Sequence, residues 1–355
     1  RNMESNNLIL TFILIIFGSF FYKYLLKTIN KYKPKFLVDD QFTKPQAFHY
    51  QPISHGGGLC IFLSLLIVCL NFLLIENKLL LPYLSFGFLF FFLGFIDDLK
   101  ISISPKIRLF FMIFFLTLLI NLNDFYIEKT GIEFLEKWLQ DSKTFSLIFV
   151  CLCFLFIING TNLIDGYNGL LGIHSIIILT TLFLINYFNE VSELTNFLFF
   201  QIIILATFLV FNFPRAKVFL GDSGSYLLGT IIALSTIKTS IANPSISPFF
   251  FCIILFYLFF EVFFSFFRKL VKERRNPLHP DKYHLHMLIY KIILKKNKDR
   301  LNSNYLVSVF INLTYLILIT PAIFMMNNGL FCKYYSLIFF VSYIFSYKIS
   351  YEKTK

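Results

Sequence analysis

The chain has 355 residues, of which 57% are hydrophobic, 50 are phenylalanine and only 15% are charged, and its mean hydropathy is +0.71. A soluble domain carries roughly a quarter charged residues, so the composition excludes a water-soluble globule and predicts an all-α, polytopic integral membrane protein. The net charge of +12 needs no nucleic-acid partner once the basic residues are placed along the chain.

A membrane helix needs about 20 mostly apolar residues. That ruler predicts eleven spans, over 8–22, 57–75, 79–96, 109–120, 145–158, 170–188, 197–211, 226–237, 249–267, 306–324 and 330–347. The first has no small-residue cleavage site after it and reads as a retained helix. Pro82 and Pro321 fall in or near spans and are tolerable there as kinks. The loops after the odd-numbered spans up to the ninth, with the C-terminus, hold 25 of the 32 Lys and Arg residues; the other side holds seven. Asp and Glu show no such split, which is the signature of basic residues retained on the cytoplasmic side. The N-terminus is therefore expected outside and the C-terminus inside. Residues 1–355 form a single membrane domain, with cytoplasmic loops 23–56, 97–108, 159–169, 212–225 and 268–305. The outer loop 121–144, with Glu128, Glu133, Glu136 and Trp138, can form a short interfacial helix. The six cysteines lie in or beside apolar runs, without metal-site spacing or a disulfide framework, and read as small packing residues.

Polar motifs interrupt the apolar pattern at the cytoplasmic ends. The first loop carries Asp40, Lys44, His49 and His55-Gly56-Gly57-Gly58, where a glycine run at a helix start can cradle an anion or simply free the chain as it enters the helix. Asp97-Asp98 ends the third span, followed by Lys100, Lys106 and Arg108. Adjacent carboxylates there are costly unless compensated. They suit a divalent cation or a base, or are a solvated helix-end pair. Asn162-Leu-Ile-Asp165-Gly-Tyr-Asn168-Gly joins spans five and six. If it stays helical, Asn162, Asp165 and Asn168 share one face suited to a sugar or a base; otherwise they cap a turn.

Gly221-Asp222-Ser-Gly-Ser225 opens the eighth span. Its glycines let backbone amides approach a phosphate, and one carboxylate can anchor Mg²⁺, which takes further oxygens from phosphates and water. The plain alternative is a Ser/Gly turn with Asp as helix cap. The largest cytoplasmic loop carries Arg274-Arg275-Asn-Pro-Leu-His-Pro-Asp-Lys-Tyr-His284-Leu-His286. This cluster lacks the ligands of a zinc site but suits a diphosphate; a basic loop with incidental histidines is the other reading. His174 reads as a core residue, and Glu261 as a buried acid paired with Arg268 or with another helix.

Taken together these motifs resemble the polyprenyl-phosphate N-acetylhexosamine-1-phosphate transferases of glycosyltransferase family 4, in the same order from Asp40 to His286. The matching pieces are Lys44 and His49 before Pro-Ile-Ser-His-Gly-Gly, Asp97-Asp98 with Pro105 and Arg108, Asn162-Leu-Ile-Asp165-Gly, Lys217-Val-Phe-Leu-Gly-Asp222-Ser-Gly-Ser, and Pro280-Asp-Lys-Tyr-His284-Leu-His286. The eleven-span layout is similar to the branch that starts surface-polysaccharide synthesis. Two positions depart from the family's pattern: Asn168 stands where it often has Asp, and Met287 where it has another His.

The resemblance implies that undecaprenyl phosphate attacks the β-phosphorus of a UDP-N-acetylamino sugar, UDP-GlcNAc or a relative, and releases UMP. It implies Mg²⁺, with Mn²⁺ as a substitute. Asp222 would be the main metal ligand, and Asp97 and Asp98 would organise the metal or deprotonate the acceptor. Asn162, Asp165 and Asn168 would contact the nucleotide side, and His284, His286, Lys44 and Arg275 the phosphates, with His49 also on the substrate side. The implied location is a bacterial inner membrane, among membrane lipid, with a homodimer compatible. Two other readings are a phospho-N-acetylmuramoyl-pentapeptide transferase, which usually shows three consecutive histidines, and a non-enzymatic lipid or sugar transporter. A transporter would place ionisable groups near mid-bilayer, whereas here Glu261 is the only acidic residue within a span.

Overall fold

The computed structural model describes residues 2–32, 37–39, 53–74, 80–101, 103–274, 276 and 282–355. Across these the chain is a helical bundle: α1 (Asn2–Tyr32), α2 (Gly57–Leu74), α3 (Leu81–Asp98), α4 (Pro105–Asn123), α5 (Glu133–Asp141), α6 (Lys143–Ile164), α7 (Leu170–Phe188), α8 (Ser192–Asn212), α9 (Gly221–Ala242), α10 (Pro248–Phe267), α11 (Leu285–Asn297), α12 (Arg300–Phe324) and α13 (Gly329–Thr354). A pair of two-residue antiparallel strands, β1 (Val38–Asp39) and β2 (Ile53–Ser54), lies between α1 and α2.

Among the described residues, ten helices are long and apolar enough to cross a membrane. The expected eleventh span is α2, an apolar helix just short of that length. Spans four and eight, short on hydropathy, are extended by polar first turns to α4 and α9, so Asp222 lies inside its helix rather than before it. Pro82 falls in the first turn of α3, where a missing amide hydrogen costs nothing, and Pro321 lies inside α12. The expected outer-loop helix is α5, with Phe134 and Trp138 exposed and Leu139 buried. The amphipathic α11 inside the basic loop was not anticipated.

α9 is the axis of the bundle. Buried residues make up 78% of its span, against 22% for α1 and 17% for α13, and α3, α6, α2 and α7 pack round it. α3 approaches so closely that a side chain at Gly94 would meet the Asp222 carbonyl carbon at 2.5 Å. The peripheral helices turn large apolar side chains outward, including Phe12, Phe20, Phe110 and Phe324, while phenylalanines such as Phe86, Phe90 and Phe154 fill the core. His174 is fully buried against Tyr315 and Asn312, as expected of a core residue.

Candidate active site

The end of α3, the start of α4, the end of α6 and the start of α9 meet at one end of the bundle. An α-helix leaves its first amide groups without intrahelical partners. At α9 the carboxylate of Asp98 supplies the acceptors: Oδ1 receives the Asp222 amide at 2.9 Å and Oδ2 the Ser223 amide at 3.0 Å. Gly221 makes this fit. Its φ of 78° is left-handed, and a side chain there would collide with the Asp98 carboxylate at 2.7 Å.

Two of the amides expected to approach a phosphate at this turn, those of Asp222 and Ser223, are thus committed to Asp98. The same holds for the first glycine run. The Gly57 amide donates to the Phe219 carbonyl at 3.0 Å and the Gly58 amide to the Leu220 carbonyl at 2.8 Å. The first run ties the start of α2 to the residues entering α9, and the second turn ties the start of α9 to the end of α3.

Asp97, one residue earlier, points elsewhere. Its Oδ2 lies 2.9 Å from an Arg108 guanidinium nitrogen. Arg108 also donates to the Tyr226 hydroxyl at 2.9 Å and lies 3.7 Å from Asp222 Oδ2. Asn162 donates to Asp222 Oδ1 at 2.7 Å and to the Ser225 hydroxyl at 3.0 Å. Of the three acids, Asp222 is the accessible one: its side chain is 37% exposed, against 11% for Asp97 and 2% for Asp98. His55 stands 3.5 Å from Asp98. Asp165 follows the last turn of α6. Removal from water, with the Asp222 and Asp98 charges nearby and His55 opposing, raises its carboxyl well above the ordinary aspartate range.

The shared face expected of Asn162, Asp165 and Asn168 does not form. α6 stops at Ile164 and Gly169 turns left-handed at φ 76°, so the chain is not helical between them. Asn162 and Asp165 face the acidic cluster. Asn168, 8% exposed, donates its side-chain amide to the Pro214 carbonyl at 3.0 Å and its backbone amide to Asn304 at 2.8 Å. It pins the loop after α8 to α12.

A second cluster lies beside the first, joined to it by the α6–α7 turn. Glu261, 1% exposed on α10, accepts from the Leu285 amide at 3.1 Å and from the Tyr343 hydroxyl at 2.6 Å, and its Oε1 lies 3.1 Å from His284 Nδ1. His286 Nδ1 is 3.3 Å from the Tyr257 hydroxyl, and Tyr167 meets its ring edge-on. The two imidazoles are parallel, 5.5 Å apart. Glu261 therefore pairs with another helix. Arg268 instead engages Glu273. Met287 is core, 4% exposed.

Lys44, His49 and Arg275, along with Asp40, lie outside the described residues. Sequence reasoning left His55 and Arg108 as motif members without a role, and did not anticipate Tyr226 or Tyr343. A membrane-embedded carboxylate was the signal for Glu261, but its partners sit 23 and 82 positions away.

Among the described residues no three His, Cys, Asp or Glu side chains form a ready-made metal site. The donors present suit a hard cation that borrows ligands from substrate. They are chiefly carboxylate oxygens, with accessible Asp222 backed by the more enclosed Asp97 and the buried Asp98, and the crowding that raises Asp165 is what a divalent cation would relieve.

Residues 80–240 match the family profile described as Glycosyl transferase family 4. That stretch contains Asp97, Asp98, Asn162, Asp165, Asn168 and Asp222 and ends before Glu261. The chain is 28% identical to the undecaprenyl-phosphate alpha-N-acetylglucosaminyl 1-phosphate transferase of Thermotoga maritima, over 78% of this chain and 80% of the relative. It is 34% identical to the phospho-N-acetylmuramoyl-pentapeptide-transferase of Dictyoglomus turgidum, over 63% and 72%. It is 26% identical to the undecaprenyl-phosphate alpha-N-acetylglucosaminyl 1-phosphate transferase of Escherichia coli K12, over 68% and 66%.

Proposed function

This chain belongs to glycosyl transferase family 4 and is a multi-pass membrane transferase of the polyprenyl-phosphate sugar-1-phosphate class, and from that premise we propose that it moves an N-acetylhexosamine 1-phosphate from a UDP-sugar to undecaprenyl phosphate. UDP-GlcNAc is the favoured donor, and the product starts a lipid-linked surface polysaccharide. A phosphate oxygen of the lipid attacks the β-phosphorus of the donor, the bond from that phosphorus to the bridging oxygen breaks, and UMP leaves.

The observation that carries this reading is Asp222, a half-exposed carboxylate held between Asn162 and Arg108 where four helix ends meet. We assign Asp222 and Asp97 to hold Mg²⁺, which when bound would neutralise the donor diphosphate. Asp98 fixes the start of α9 and so aims Asp222. Asn162 orients the Asp222 carboxylate, and Arg108 limits the repulsion between Asp97 and Asp222. Asp165 faces the nucleotide side, and His284 and His286 meet the phosphates. The basic-residue split supports a cytoplasmic position for this end of the bundle, and the bacterial relatives support an inner-membrane location, where both a soluble nucleotide sugar and a lipid phosphate could reach it.

The pentapeptide transferase remains the second reading because the Dictyoglomus relative has the higher identity. The N-acetylglucosaminyl reading is favoured by wider coverage of this chain and by His284-Leu285-His286 in place of consecutive histidines. Purified protein with undecaprenyl phosphate and a panel of UDP-sugars decides between them through UMP release. Turnover with UDP-GlcNAc supports the assignment, and turnover only with the muramoyl-pentapeptide donor overturns it.

A further inference from the structure

The buried acid on α10 has no part in the reaction so far. Glu261 lies within a membrane span, where an ionised carboxylate persists only with strong partners. Three are present: the Leu285 amide, the Tyr343 hydroxyl and the Nδ1 edge of His284. The first two are donors only toward a carboxylate, and an ionised carboxylate accepts only, so His284 Nδ1 carries a hydrogen directed at Oε1. That bond settles which ring nitrogen is protonated in the neutral imidazole and which way the ring turns, as carboxylates do for functional histidines elsewhere. The same Oε1 caps the first amide of α11, the helix that carries His286. One carboxylate therefore sets the ring of His284 and the origin of the helix beneath His286. Tyr343 comes from α13, well beyond the family-matched stretch, and fixes the other carboxylate oxygen.

We propose that Glu261 is a positioning residue for His284, braced by Tyr343 of the last helix, so that α10 and α13 aim the imidazole pair at the donor diphosphate. This rests on the reading that His284 meets donor phosphate. Glu261→Gln keeps size and hydrogen-bonding capacity but removes the charge and a pure acceptor. Tyr343→Phe removes one hydroxyl and keeps the ring packed against Phe260 and Tyr347.

The test is a double-mutant cycle on UMP release, which isolates the coupling of one residue to another. Glu261→Gln should lower kcat/KM for the UDP-sugar roughly 10- to 100-fold and Tyr343→Phe about 2- to 10-fold, with KM for the lipid phosphate unchanged. In a His284→Ala background neither should cost anything further. Losses of equal size with and without His284, or a rise in lipid KM instead of the donor effect, overturn the proposal. If Glu261→Gln fails to fold, Tyr343→Phe carries the same cycle. If turnover of the single variants falls below detection, UDP-sugar affinity by calorimetry replaces it. Wild-type protein that releases no UMP from any UDP-sugar would count against the functional assignment, whereas additive losses in an active enzyme count against Glu261 alone.

Discussion

The carboxylate of Asp98 receives the backbone amide of Asp222 at 2.9 Å, so one acid of the site holds another in place through the main chain. The two should therefore fail differently. Asp222→Asn should keep the unfolding midpoint of wild type and lose UMP release by orders of magnitude. Asp98→Ala removes the acceptor for two amides at a helix start, a loss of about 0.5–2 kcal/mol, and should lower both the midpoint and activity. Thermal unfolding in detergent beside UMP release checks this. Full turnover by Asp222→Asn at limiting Mg²⁺ would remove Asp222 as the metal anchor.

Asp165 has a carboxyl raised by burial and by the charges of Asp222 and Asp98. A folded state with a raised carboxyl pKa binds more protons than the unfolded chain, so this group's contribution to stability falls as pH rises from the ordinary aspartate range toward the raised value. Asp165→Asn should flatten that slope, and Mg²⁺ should lessen it in the wild type. Unfolding midpoints measured across pH with and without Mg²⁺ read both effects. A slope unchanged in Asp165→Asn would sink the assignment.

Buried Asn168 donates its side-chain amide to the carbonyl of Pro214. The aspartate common at this position in the family has no hydrogen to give when ionised, and would set acceptor against acceptor. Asn168→Asp is expected to cost about 1–3 kcal/mol of stability and to leave the choice of UDP-sugar unchanged. Chemical unfolding and a donor panel decide it. A shift in sugar preference without loss of stability would return Asn168 to the substrate.

The sidedness of the bundle is open to labelling. In a cysteine-depleted background, Ser104→Cys and Arg215→Cys should be shielded from an impermeant thiol reagent in intact cells, and Lys129→Cys should react. All three positions are exposed on the protein, so reaction reports side rather than burial. Labelling of Arg215→Cys from outside contradicts the proposed orientation.

The sequence by itself determined the class of protein, the run of apolar helices and the gathering of Asp97, Asp98, Asn162, Asp165 and Asp222 at one end of them. Span length and alternation suffice for that, because a bilayer admits backbone only as whole crossings. Only the tertiary structure decided what each polar side chain does there. Asp97 and Asp98 are neighbours in sequence, but successive helical residues point about 100° apart, so one meets Arg108 and the other caps α9. The two glycine runs looked fit for phosphate, yet the Asp222 and Ser223 amides are taken by Asp98 and those of Gly57 and Gly58 by the carbonyls of Phe219 and Leu220. Asn168 left the face of Asn162 because α6 stops at Ile164, before the repeat reaches it. Glu261 was visible as a costly buried charge, but its partners arrive from α11 and α13 through packing between helices far apart in the chain. Local spacing carries no record of such meetings.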